Sequence, residues 1–313
     1  MTTPTMTERR PLPLSREFRV MGCESHVVIH GGEEWMLDAA EARLRELEGL
    51  WSRFLVTSDI TRANLQAGQP VVVHDDTLAV VARSLEAWRQ TAGRFDITTL
   101  PALLHHGYTH SAVDASVAAP LVPGRRVGMS AWVQVDYEGR TITVPSTSAI
   151  DLGGIGKGFA ADIVAEELVE AGALGAVVNV GGDVRVIGLP PDATSWFLGI
   201  EDPRHPPEHL AFLHLEDGGV ATSGITVRHW TTTDGSDAHH LIDPVTGRPV
   251  VDASLSATVL AADTATAEAF ATAAMMLPAM EALEMLEAVH LAGLVVDHQG
   301  VVHRTTTLQD FER

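Results

Sequence analysis

The chain has 313 residues, 45% of them hydrophobic and 20% charged, an ordinary globular composition with length enough to bury a sizeable core. Its 41 acidic residues against 21 basic ones leave a net charge of -20. That charge repels nucleic acid and anionic membrane, and it makes an anionic ligand costly to bind unless a cation accompanies it. One cysteine, Cys23, excludes an internal disulfide, and nowhere do 18 apolar residues run together to span a membrane.

Residues 1–16, rich in Thr and Pro at their start, read as a disordered tail, and 17–313 as the working domain. Arg9 and Arg10 are followed by no apolar run, so a secretory signal is not expected and the chain reads as cytoplasmic. Phe18 to His30 reads as a strand that pauses at Met21-Gly22-Cys23. Apolar residues at helical spacing (Leu37, Ala40, Leu44, Leu47) predict a helix from Glu34 to Trp51. A second helix fits Thr77 to Ala92, capped by Asp75 or Asp76, stopped at Gly93, and burying Leu78, Val81, Leu85 and Trp88.

Residues 111–125 have no period and read as a surface insertion, whereas Trp132 to Val144 alternates and turns at Glu138-Gly139 as a hairpin. A glycine cluster, Asp151 to Gly158, opens a helix that runs to Ala171 and stops at Gly172. Ala176 to Val180 is a buried strand broken by Gly181-Gly182-Asp183. Trp196 to Ile200 and Leu210 to Leu215 are further strands. Helices over Thr264 to Met276 and Ala279 to His290 precede a hairpin at Gln299-Gly300. Strands outnumber crossover units, which favours α+β over a doubly wound parallel sheet.

Gly153, Gly154, Gly156 and Gly158 surround Lys157 ahead of a helix. Such a loop lets backbone N–H groups approach phosphate oxygens. It is not a P-loop, because Gly158 follows the lysine where Ser or Thr is needed, and its G-G-x-G-x-G spacing is not the dinucleotide fingerprint. By itself the cluster equally describes a tight strand-to-helix turn.

Five segments in order resemble the FAD:protein FMN transferase family, known as ApbE. They are Ser52-Arg53-Phe54 with Ser58 and Asn64; Gly93-Arg94-Phe95-Asp96-Ile97-Thr98; Asp151 to Gly158, continued by Phe159-Ala160-Ala161-Asp162 and Asn179 to Asp183; Ala221 to Gly224 ahead of His240-Leu241-Ile242-Asp243-Pro244-Val245-Thr246-Gly247; and Ala267-Glu268-Ala269-Phe270-Ala271-Thr272. The resemblance runs from about Phe18 to about Leu277. It implies an α+β fold related to T-folds, with mixed sheets and packed helices. It also implies a Mg²⁺-dependent enzyme whose substrate is FAD and whose partner is an acceptor flavoprotein. A threonine of that partner attacks the FMN-side phosphate and AMP leaves.

The resemblance assigns the metal to Glu268 and Thr272, to a backbone carbonyl at Gly154, and to a position beside Ala271. Glu268 and Thr272 stand four apart, on one face of a predicted helix, and offer hard oxygen donors suited to Mg²⁺. The bland reading is an exposed Glu and a Thr bonded back to its own helix. The family usually has Asp where Glu268 stands, which opens the choice between Mg²⁺ and Mn²⁺. Lys157 either holds a phosphate oxygen or pairs with a carboxylate. His240 is the candidate base for the threonine hydroxyl, selected over His239 by the register of the following motif. Asp243 either orients His240 or, with Pro244, starts a turn.

Met21, Phe54, Arg94, Phe95, Asp96, Asp151 and Ile242 fall on FAD-contacting positions of the family; core packing is the alternative for Met21, Phe54, Phe95 and Ile242. Departures from the family pattern are Cys23 for Thr, Ile97 for Pro, and His105-His106 where a Trp is usual. His106 and His110 have i, i+4 spacing without the glutamate of a zinc helix, and read as surface loop. Two rival functions share the same cleft: an FAD pyrophosphatase in which water replaces threonine, and an FAD-binding protein without catalysis.

Overall fold

The computed structural model describes residues 12–111, 116–122, 124–189, 194–226, 229–231, 237–251 and 254–312. Seven α-helices occur among them: α1 (Glu34–Trp51), α2 (Asp59–Leu65), α3 (Asp75–Gln90), α4 (Leu100–His105), α5 (Gly156–Glu170), α6 (Thr264–Ala274) and α7 (Ala279–Ala288). The centre is an eight-stranded sheet. In spatial order its strands are Leu14–Val20, Cys23–His30, Gly175–Val180, Asp183–Gly188, Gly218–Gly224, Ser256–Ala261, Ala292–Val296 and Val302–Arg304, every neighbouring pair antiparallel. This is the expected α+β architecture.

Strand alternation divides the core into two layers. Ala176, Val178 and Val180 face α1, α3, α5 and α6, whereas Val177, Val184 and Val186 face a separate hairpin, Trp196–Glu201 with His209–Leu215. Both faces of the sheet are therefore covered. A three-stranded sheet of Pro70–Val72, Thr141–Thr143 and Gln134–Asp136 lies apart. No helix among the described residues is long and apolar enough to cross a membrane.

Several boundaries differ from the sequence reading for identifiable reasons. The pause at Met21-Gly22 is a reversal: both residues have positive φ (51° and 72°), the geometry of a two-residue hairpin turn, so one strand becomes two. The first of these begins at Leu14, which takes residues 14–16 out of the assigned tail; residues 1–11 lie outside the described ones. The helix expected from Thr77 starts at Asp75 with His74 as its cap, and it buries Val80 and Ala87 while Trp88 is only half-buried. Gly181-Gly182 is likewise a hairpin turn rather than an end, since Asp183–Gly188 pairs back on Gly175–Val180. The strands Gly218–Gly224 and Ser256–Ala261 escaped the pattern because one is mostly small residues and the other is buried along nearly its whole length. Of the assigned insertion, residues 112–115 and 123 lie outside the described ones, and His110 bridges to Ala118.

Candidate active site

The site begins where α5 and α6 cross. In α6 the alanines 265, 267, 269, 271, 273 and 274 are all buried, and small side chains let this helix approach its neighbours closely. Gly158 of α5 meets it with no room to spare, because a Cβ there would stand 2.5 Å from the Thr264 carbonyl oxygen. The Asp162 carboxylate, also on α5, accepts from the Thr264 and Ala265 backbone N–H groups at 2.8 and 2.9 Å, while Asp263 accepts from Thr266 N–H at 2.7 Å. Asp162 thus satisfies two of the orphan donors at the start of α6. Burial outweighs those bonds and pushes its carboxyl up to about 6.

This crossing aims Glu268 and Thr272 at the glycine turn. The Thr272 hydroxyl lies 3.2 Å from Ser223 Oγ and is the nearest side-chain atom, 3.1 Å away, to a Cβ built on Gly154. Glu268, one helical turn earlier, is buried. Its Oε1 accepts from Lys157 Nζ at 2.6 Å and its Oε2 from Gly158 N–H at 2.8 Å. Lys157 also pairs with buried Asp183. Of the two roles open to Lys157, the carboxylate pair is the observed one. The N-terminus of α5, which the sequence offered to phosphate, carries the Glu268 carboxylate instead, a favourable placement for a negative charge.

Two buried carboxylates around one ammonium leave the cluster with a net negative charge, and burial first, then Asp183, push the Glu268 carboxyl well above the usual range. Each Glu268 oxygen has one donor and keeps a second lone pair. Glu268 and the Thr272 hydroxyl offer hard oxygens of the kind Mg²⁺ or Mn²⁺ takes, and Gly154 adjoins Thr272. Ala271 does not belong to that set. Its methyl packs with Val259, Phe270 and Leu286, and its carbonyl accepts from Met275 N–H within the helix.

A cavity of about 1260 Å³ opens over this crossing. That exceeds the roughly 300–1,000 Å³ usual for drug-sized ligands and suits a dinucleotide. The residues assigned to metal, FAD and proton transfer line it except Ala271: Met21, Phe54, Arg94, Phe95, Asp96, Asp151, Gly154, Lys157, His240, Ile242, Glu268 and Thr272. Phe95 and Ile242 also pack into hydrophobic clusters, so the two readings of these residues hold together. Asp96 is buried; its Oδ1 accepts from Thr98 N–H at 2.7 Å, and the Ser130 hydroxyl and backbone N–H also act on the carboxylate. Burial pushes this carboxyl up against the pull of the Thr98 bonds.

His239 and His240 diverge as the motif register requires. His239 Nε2 faces the Val250 carbonyl at 3.0 Å, and burial lowers its pKa, whereas His240 lines the cavity. Asp243 is a turn former: one oxygen accepts from Val245 N–H at 2.8 Å and the other from the Thr246 hydroxyl at 2.9 Å. His106 Nε2 lies 3.1 Å from the Gly247 carbonyl and His110 Nδ1 lies 2.9 Å from the Thr109 hydroxyl. Cys23 donates to the Val20 carbonyl at 3.2 Å.

Among the cavity residues not singled out from the sequence are Arg53, Tyr108, Asp183 and Ser223. Arg53, Asp183 and Ser223 lie inside the matched segments, so their neighbourhood was marked although their partners were not. Tyr108 follows the departing His105-His106 pair and carried no signal.

A model of the ApbE family matches residues 21–295. A FAD:protein FMN transferase of Vibrio cholerae serotype O1 is 29% identical over 257 residues, covering 81% of this chain and 76% of that protein. One of Haemophilus influenzae is 29% identical over 297 residues, covering 89% and 85%. An ApbE protein of Thermotoga maritima has a similar structure, with a TM-score of 0.85 at 26% identity over 96% of this chain and 100% of that one. The apo flavinyl transferase ApbE of Pseudomonas stutzeri shares the fold with a TM-score of 0.81 at 24% identity, over 97% and 98%.

Proposed function

The chain belongs to the ApbE family, and from that premise we propose that it transfers the FMN half of FAD to a threonine of an acceptor flavoprotein, with the residues from Leu14 onward acting as one catalytic unit. The observation that carries this reading is the convergence of the family-marked residues, from five separate segments, on one cavity of dinucleotide size. Glu268, Thr272 and the Gly154 carbonyl hold Mg²⁺ or Mn²⁺. The ion, when bound, neutralises charge on the diphosphate and makes the attacked phosphorus more electrophilic.

The protein's own groups do the rest. Asp96 presents its carboxylate to an N–H of the dinucleotide, and Phe54, Met21, Arg94, Phe95 and Ile242 enclose its rings. Lys157 ties the Asp183 and Glu268 carboxylates together beside the glycine turn. His240 takes the proton from the acceptor hydroxyl as its oxygen attacks the FMN-side phosphorus. One P–O bond forms and the bond to the AMP phosphate breaks, so AMP leaves and the flavin remains as a phosphoester.

Incubation of the protein with FAD, Mg²⁺ and a peptide carrying an S/T-G-A-T type acceptor, followed by mass spectrometry and AMP quantification, tests the reading. A flavinylated peptide with equimolar AMP is expected. AMP with free FMN and unmodified peptide would make the protein a pyrophosphatase, and bound FAD without turnover would make it a binding protein.

A further inference from the structure

Arg53 sits where α1 gives way to the next loop, and its side chain is only 5% exposed. Every donor of its guanidinium that the structure pairs is spent on tying distant segments together. Nε meets Asp151 Oδ2 at 2.9 Å, and both terminal nitrogens donate to the Tyr108 carbonyl at 3.2 Å. The guanidinium is also stacked between rings, 4.2 Å from the centroid of Phe54 and 4.6 Å from that of Tyr108. Tyr108 in turn stacks on Trp230 at 5.1 Å, and the Trp230 indole N–H donates to the His106 carbonyl at 2.7 Å. Phe54, Arg53, Tyr108 and Trp230 therefore form one continuous pile along the wall of the cavity.

Both oxygens of the partner carboxylate are engaged from within the protein. Asp151 Oδ2 is held by Arg53, and Oδ1 accepts from Gly153 N–H at 2.8 Å, which fixes the first residue of the glycine turn. The Asp151 backbone N–H is bonded to the Ile97 carbonyl at 2.8 Å, so the turn is anchored from both sides. Gly154, the next residue, faces Thr272.

We propose that Arg53 is a positioning residue that couples the two halves of the site: it sets the glycine turn through Asp151 and the aromatic wall through Phe54 and Tyr108. A guanidinium suits this task because its planar fork meets a carboxylate and stacks on rings at once, which an ammonium cannot reproduce. Cation seat and ring-binding wall then form together, and loosening either loosens the other. The inference rests on the proposed FAD chemistry for its functional consequence, but its structural content concerns the protein alone.

The test uses the full chain with Arg53→Met, Arg53→Lys, Asp151→Asn and the Arg53→Met/Asp151→Asn double variant. In the absence of ligand, hydrogen exchange at the amides of residues 152–155 is expected to quicken about tenfold in Arg53→Met, with Arg53→Lys between it and wild type. FAD binding, followed by flavin fluorescence, is expected to weaken about tenfold in Arg53→Met and in Asp151→Asn. The double variant is expected to be no weaker than the worse single one, the mark of residues acting as one unit. The Mg²⁺ concentration needed for half-maximal FAD binding rises in the same variants. Should Arg53→Met not fold, Arg53→Lys and Asp151→Asn carry the same comparison. Unchanged exchange at the turn, or FAD affinity within twofold of wild type, overturns the proposal, as do single effects that simply multiply. A wild-type protein that shows the exchange effect yet binds no FAD overturns the proposed function and leaves the positioning role standing.

Discussion

On one wall of the cavity the reactive side chains stand on regular elements. Glu268 and Thr272 project from a helix whose alanines are buried on nearly every side, and Lys157 stands in the first turn of a second helix locked to the first through Asp162. On the other wall His240 rides on a loop between short pairings, a three-residue strand ending at His239 and a two-residue strand at Ile242–Asp243. The difference assigns each wall its task. A cation seat needs several oxygens held at fixed distances, which packed helices supply. A proton acceptor must meet a hydroxyl brought by another protein, and a loop can move with it. On the proposed roles the cation seat and the proton acceptor stand on separate walls, and substitutions should separate them.

The sharpest separation comes from the helical wall. Glu268→Ala removes a donor of the proposed seat and leaves Gly158 N–H without its partner, so metal-dependent AMP release should fall by roughly 10³-fold or more. Steady-state assays with titrated Mg²⁺ check this, and turnover near wild type would break the comparison at its stronger side. His240→Ala should act differently, slowing peptide flavinylation by about 10²-fold while FAD affinity stays within about twofold. Single-turnover transfer measured beside equilibrium FAD binding distinguishes the two, and a normal transfer rate would remove His240 from the chemistry.

The smallest effect concerns the seam beneath the helical wall. Asp162 titrates near 6 when folded, against an ordinary value of 3.8. The folded protein therefore holds this proton over a window in which the unfolded chain has lost it. Stability linked to Asp162 is fully present below 3.8 and declines as pH rises through about 6. Relative to Asp162→Asn, which does not titrate, the wild type should lose roughly 2 kcal/mol between pH 4 and pH 7. Urea unfolding at the two pH values reads the difference, and a gap that widens in favour of the wild type with rising pH would contradict the assignment.

Much of the helical wall was legible because its pieces are local. The spacing of Glu268 and Thr272 fixes one helix face, and the glycines ahead of α5 mark a turn whatever surrounds it. His240 was separable from His239 by register alone. What could not be read were the partners. Lys157 and Glu268 are 111 residues apart, and nothing near either predicts that the carboxylate would take the N-terminal position on α5 that phosphate was expected to fill. Arg53 and Asp151 were each inside a recognised segment, yet their pairing depends on how α1 ends relative to the glycine turn. The strands Gly218–Gly224 and Ser256–Ala261 failed for another reason, since small residues and burial along the strand erase the period that marks a half-buried strand.

The central claim is that Glu268, Thr272 and the Gly154 carbonyl grip one divalent cation against the diphosphate of FAD. A crystal of the protein with FAD and Mn²⁺, examined by anomalous scattering, tests it most directly. The account predicts a single peak within coordination distance of all three oxygens and of the diphosphate. A peak elsewhere in the cavity, out of coordination distance of Glu268 and Thr272, would contradict it.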